Sequence, residues 1–133
     1  MACGARRHIA LKIVASSPRS LQEDVLGMSS PFAAFGLSVR LFDDHIREAA
    51  LWHDMPYMTV LAYAMAHEIG HVLLRNGSHS WRGIMSSVWT RYEYERMAHG
   101  ALGFSDEETR TMSANLLAPV CDKPDHRPAW ADH

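Results

Sequence analysis

The chain has 133 residues, 47% of them hydrophobic and 21% charged, with a formal net charge of −2. That length suits one domain with a core of its own, and the near-neutral balance gives no electrostatic reason to expect nucleic acid or an anionic membrane as partner. No apolar run approaches the roughly 18 residues of a membrane span. Cys3 and Cys121 stand near opposite ends without a CxxC spacing, which suggests neither a disulfide framework nor a zinc ligand pair.

The first residues, MACGARRH, are basic but lack the apolar stretch and small-residue cleavage site of a secretory signal. The expected compartment is therefore the cytoplasm, or the exterior if a signal has been removed. Residues 8–15, HIALKIVA, alternate with Ile9, Leu11 and Ile13 on one face, the period of a half-buried strand. Ser16-Ser17-Pro18 breaks it. A short helical turn is expected over 21–27, and the stretch from there to Gly36 has no clear pattern. Residues 37–42, LSVRLF, predict a second strand with Val39 and Leu41 opposite Arg40 and Phe42. Asp43-Asp44 supplies a helix start, where carboxylates can accept from free backbone N–H groups. Ile46, Ala49, Ala50 and His53 recur at helical spacing behind it. Asp54-Met55-Pro56 separates this helix from a longer one over 56–75, with Asp54 as cap and Pro56 in the first turn. Val60, Leu61, Ala64, Val72 and Leu73 make that second helix apolar enough to be central and buried. His8, His45 and His53 read as surface or core-satisfied histidines rather than metal ligands.

The long helix carries His67-Glu68-Ile69-Gly70-His71, an HExxH motif. Residues four apart lie on one helical face, roughly 6 Å along the axis, so both imidazoles can reach one metal ion. Neutral histidines are good zinc ligands, and a carboxylate that flanks the metal without binding it can take the proton of an attacking water. A catalytic zinc site usually has a third protein ligand. His79 stands eight residues after His71, just past Asn76-Gly77. Gly77 is the expected helix stop, from which the chain can turn back and bring His79 under the metal.

The run HEIGHVLLRNGSHSWRGIM resembles the metzincin signature, HExxHxxGxxH followed by a methionine-bearing turn. It is also similar to small bacterial metallopeptidase-like proteins with HExGHxLL, a short Asn/Gly turn and HSxxGIM. The resemblance covers residues 60–90. It departs from the metzincin pattern in having Leu74 at the glycine position, with Gly77 six and His79 eight residues after His71. What it implies is Zn²⁺ held by His67, His71 and His79, Glu68 as general base, and Met85 as the Met-turn residue. A tyrosine after the Met turn donates to the developing oxyanion in some zincins, which makes Tyr92 and Tyr94 candidates. Packing tyrosines are the more frequent case.

Residues 89–98 suit a helix stopped by Gly100 and Gly103, and Ser105 with Glu108 forms a capping box, with Phe104 as staple, for a last helix through about 117. The expected fold is α+β: a compact zincin-like domain over residues 1–118, with a small twisted sheet packed on a central active-site helix and a C-terminal helical part after the Met turn. Residues 119–133 read as a flexible tail. The expected function is zinc-dependent hydrolysis of peptide bonds, with a peptide or protein as substrate. Two alternatives stay open. One is a gluzincin-type site with Glu93 or Glu95 as third ligand. The other is a non-catalytic zinc domain used for structure or protein interaction, favoured by the mere sixty or so residues before the motif.

Overall fold

The computed structural model describes residues 3–4, 8–30, 37–118 and 120–121. In chain order these form β1 (Cys3–Gly4), β2 (Ile9–Val14), β3 (Gly27–Ser30), β4 (Leu37–Phe42), α1 (Asp43–Trp52), α2 (Tyr57–Leu74), α3 (Arg91–Ala98), α4 (Asp106–Leu117) and β5 (Val120–Cys121). The domain is α+β, with a three-stranded sheet in the order β2-β4-β3 and four helices. No described helix is long and apolar enough to cross a membrane.

β4 is the central strand because it is the most thoroughly apolar one. Val39 and Leu41 are fully buried under α2, as their alternation requires, and Phe42 is buried as well. β2 runs parallel to β4, setting Leu11 beside Val39 and Ile13 beside Leu41. Those two β2 side chains remain exposed, so of the expected buried face only Ile9 is half-buried; Val14, half-buried at the other end, lies on the opposite face. An edge strand lying beyond the helix that covers its neighbour loses that cover.

The 21–27 segment is not helical. Turns close Leu21 on Pro18 and Val25 on Gln22, and the chain then enters β3, antiparallel to β4 with Gly27 beside Leu41 and Ser29 beside Val39. Gly27 lets the sheet and α2 approach closely. A Cβ there would stand 2.8 Å from the Arg40 carbonyl oxygen and 3.0 Å from Glu68 Cγ.

α1 does not use its aspartates as caps. Its N-cap is Phe42, without a side-chain bond. Asp44 instead accepts from the backbone N–H and hydroxyl of Ser17, each at 2.9 Å, while Asp43 accepts from Arg47 and the Tyr57 hydroxyl. His45 is a satisfied buried histidine, with ring nitrogens 2.7 Å from Ser17 Oγ and from the Val25 carbonyl. Pro56, not Asp54, is the N-cap of α2.

α2 keeps within a residue of the range expected for it, but its stop comes two residues before Gly77. Arg75 adopts the left-handed conformation at φ 57°, and its N–H closes on the last turn of the helix. α3 starts two residues after its expected beginning at 89, and α4 starts at its expected capping box. Thr90 with Glu93 caps α3, and Ser105 with Glu108 caps α4, each as a complete capping box. Of the expected tail, only residues 120–121 are described; they pair antiparallel with β1, opposite Gly4 and Cys3.

Candidate metal centre

α2 places His67 and His71 on one face, and the chain leaving Arg75 returns to bring His79 beside them. His71 Nε2 lies 3.1 Å from His67 Nε2 and 3.2 Å from His79 Nε2. The ring positions are fixed from behind. His67 Nδ1 lies 2.6 Å from the Ile84 carbonyl oxygen and His71 Nδ1 lies 3.0 Å from that of Asn76. A carbonyl can only accept, so each Nδ1 carries the proton and each Nε2 keeps its lone pair. Two lone pairs at 3.1 Å repel unless a cation lies between them. Metal–nitrogen distances of about 2.0–2.1 Å in a tetrahedral site put neighbouring donor atoms about 3.3 Å apart, close to the observed spacing. The three histidines therefore form a group able to hold one metal ion, and among the described residues no other set of donors does so.

Burial prepares the two helical ligands for that role. Desolvation pushes the pKa of His67 down to about 4, only partly opposed by the hydrogen bond to Ile84, and it lowers His71 in the same way. Both rings are neutral at pH 7 and ready to ligate. His79, reaching in from the loop, is exposed.

Glu68 stands beside the histidines. Its Oε1 lies 3.9 Å from His67 Nε2, and the side chain is only 9% exposed. Burial raises its pKa to about 7, against a smaller opposing effect of a hydrogen bond from Ser29 on β3. A carboxyl poised near neutrality is suited to exchange protons at physiological pH.

The turn after His79 is locked in several places. Ser80 N–H donates to Met85 O at 2.9 Å, Ser86 N–H to Gly83 O at 3.1 Å, and Ile84 N–H to Gly103 O at 3.0 Å. Gly83 takes φ +89°, a conformation for which glycine is suited. Met85 is fully buried beneath α2, with its sulfur against Gly70, where an added Cβ would come within 2.5 Å. That contact explains the glycine inside the HExxH motif. Ser80 Oγ also donates to Glu108 Oε2 at 2.5 Å, while Glu108 Oε1 accepts from Ser105 N–H at 2.8 Å. The cap of α4 thus grips the residue next to His79. The capping box was legible in the sequence, but nothing there signalled this second bond across 28 positions.

Tyr92 and Tyr94 separate clearly. Tyr92 is exposed and stacks with Arg82 and Arg96, away from the histidines. Tyr94 is 6% exposed and lines a cavity of about 560 Å³ that opens onto His67, Glu68, His71 and His79. Its ring stacks on His53 at 3.7 Å and meets Trp89 edge-on, and Trp89 in turn meets His67. Burial raises the Tyr94 pKa to about 12, keeping its hydroxyl a donor at neutral pH. His53 is likewise shifted down by burial and stays neutral there. Glu93 accepts from the N–H and hydroxyl of Thr90, and Glu95 pairs with Arg91 on the surface, so both candidate glutamates are engaged within α3.

On the opposite wall, Gly27, Met28 and Ser29 of β3 line the same cavity. One edge of β3 is paired to β4, and among the described residues no strand pairs with the other. Sequence reasoning missed this wall because GMSS has neither apolar alternation nor strand-forming residues. Compared with known proteins, the chain matches no family model, no curated protein and no solved structure.

Proposed function

We propose that the chain is a zinc-dependent peptide hydrolase of metzincin-like design, with His67, His71 and His79 as ligands. The observation that carries this reading is the convergence of three imidazoles with an adjacent buried carboxyl in an open cleft. Zinc, when bound, makes water a nucleophile near neutral pH and polarises a carbonyl. Glu68 takes the proton of the attacking water and passes it to the leaving amine; a pKa near neutrality suits both transfers. Tyr94 supplies the hydrogen bond to the developing oxyanion, as the tyrosine whose side chain lines the cleft. Met85 supports the histidines from below. The free edge of β3 offers backbone groups to an extended peptide, the usual way a sheet edge takes one.

The open cleft favours this reading over a purely structural zinc site, which would be expected to close with a fourth protein ligand. Among the described residues the donor group contains three. The test is elemental analysis of wild type and His79→Ala, followed by a peptide-library digest with Glu68→Gln as control. About one zinc per chain in wild type, its loss in His79→Ala, and cleavage abolished in Glu68→Gln are expected. Zinc content unaffected by His79→Ala would move the third ligand elsewhere, and a fully active Glu68→Gln would remove the base.

A further inference from the structure

The two cysteines stand near opposite ends of the sequence, and the fold brings them together. β1 and β5 form a two-stranded antiparallel sheet of their own, whose register sets Cys3 directly opposite Cys121 and Gly4 opposite Val120. Residues directly opposite in an antiparallel ladder stand about 4.5 or 5.5 Å apart at Cα, depending on whether the pair exchanges hydrogen bonds. Disulfides span Cα distances of about 4.4–6.8 Å, so either kind of pair is within bridging reach. No other cysteine in the sequence competes for the pairing.

The ladder gives a second, independent reason for a bond at this place. It has two residue pairs, and its strands are not joined by a hairpin: one precedes β2 and the other follows α4. Closing so long a loop costs entropy that grows with the logarithm of its length, and even an isolated two-stranded hairpin is marginal in water. A covalent link between Cys3 and Cys121 removes that cost from the folded state, which two pairs of backbone groups do not. The elements it joins are well anchored. β2 is paired to β4 along its length, and α4 is fastened to the histidine-bearing helix α2, where Asn115 Nδ2 donates to the Leu73 carbonyl at 2.8 Å.

We propose that Cys3 and Cys121 form an intramolecular disulfide, a redox-dependent clamp that closes residues 3–121 into one covalent loop containing the three histidines. With a small-molecule disulfide such as oxidised glutathione as oxidant, its S–S bond breaks, an S–S bond forms between the two cysteines, and their protons and two electrons leave on two glutathione thiols. The bond persists in an oxidising compartment and opens in a reducing one. The inference is independent of the hydrolase reading, and its test needs neither metal nor turnover.

The full chain, equilibrated at low concentration with oxidised glutathione or with a phosphine reductant, would be unfolded, alkylated and followed by intact mass and peptide mapping. The oxidised monomer is expected to carry no alkyl label and to yield a cross-linked peptide pair containing Cys3 and Cys121, whereas reduced protein is labelled at both. Oxidation is also expected to lower the unfolded fraction at a fixed urea concentration by a factor on the order of a thousand. Cys3→Ser and Cys121→Ser should lose that response. Glutathione adducts at both cysteines, or disulfides between two chains, would overturn the proposal, and a urea midpoint unmoved by oxidation would refute the clamp. Mapping of the unaltered chain decides the bond even if a serine variant fails to fold.

Discussion

Glu68→Gln in metal-free protein is expected to stabilise the fold at alkaline pH and to leave it nearly unchanged in acid. The folded protein holds the Glu68 proton more tightly than the unfolded chain does, with a pKa raised from 4.5 to about 7 by burial. Between those values the native state binds more protons, so this group's contribution to stability falls as pH rises and levels off above about 7. At 1.36 kcal/mol per unit, the full shift amounts to about 3 kcal/mol. The side chain is only 9% exposed, so solvent screening removes little of it. Glutamine resembles the protonated form and escapes this penalty. The variant should therefore exceed wild type by about 1 kcal/mol at pH 5 and about 3 kcal/mol at pH 8. His67, with its pKa lowered to about 4, acts in the opposite sense: the unfolded chain takes up its proton first, so stability falls as pH drops from about 6.5 toward 4. Both proteins share that effect, and it cancels in the difference. Urea denaturation in the presence of chelator at pH 5, 6, 7 and 8 measures the quantity directly. A stability difference that does not change with pH would show that Glu68 is not a buried carboxyl with a raised pKa.

Three further substitutions probe the supports of the site. Gly70→Ala drives a methyl group into the Met85 sulfur, and overpacking of this kind is expected to lower stability by about 1–3 kcal/mol; an unchanged urea midpoint would mean that Met85 moves aside freely. Glu108→Ala removes the acceptor of the Ser80 hydroxyl and is expected to weaken zinc binding by about tenfold, as loss of a supporting hydrogen bond does at metal sites. Glu108→Gln should recover part of that affinity, because its amide oxygen can still accept; equal zinc affinity in all three proteins would detach Glu108 from the centre. Under the proposed hydrolase reading, Tyr94→Phe is expected to reduce kcat by about 100-fold with zinc content intact, and a kcat close to wild type would exclude the hydroxyl from the reaction.

The parts of this molecule that were legible in the sequence are those whose signals are local. HExxH places two imidazoles on one face because helical spacing alone does so, and the Ser105–Glu108 capping box marks the start of α4 within four residues. The third histidine was legible as a spacing and the helix range to within a residue at each end, but the residue that stops it was not: Gly77 offered the expected glycine, while Arg75 takes the left-handed position. β3 was illegible for a different reason. Its GMSS sequence has low intrinsic strand preference, and it becomes a strand only because β4 pairs with it. The aspartates of α1 show the same competition in reverse. Both are good caps by type, but Ser17, Arg47 and Tyr57, remote in sequence or on the next turn, provide other partners.

The same distinction accounts for how the centre is joined to its cleft. The Ile84 carbonyl accepts from His67 Nδ1 at 2.6 Å and from Trp89 Nε1 at 3.1 Å. One backbone oxygen thus sets both the tautomer of His67 and the position of a cleft wall, against which Tyr94 then packs. Ile84 is itself held by Gly103 and flanked by Met85, whose burial under Gly70 fixes the turn. Side chain identity at position 84 has no part in that bond, so its role could not be read from an isoleucine in a sequence. The glycine at 70 and the methionine at 85 were visible, and their joint reason is steric: a smaller residue in the helix admits the sulfur that holds the turn, and the turn presents the oxygen that orients His67.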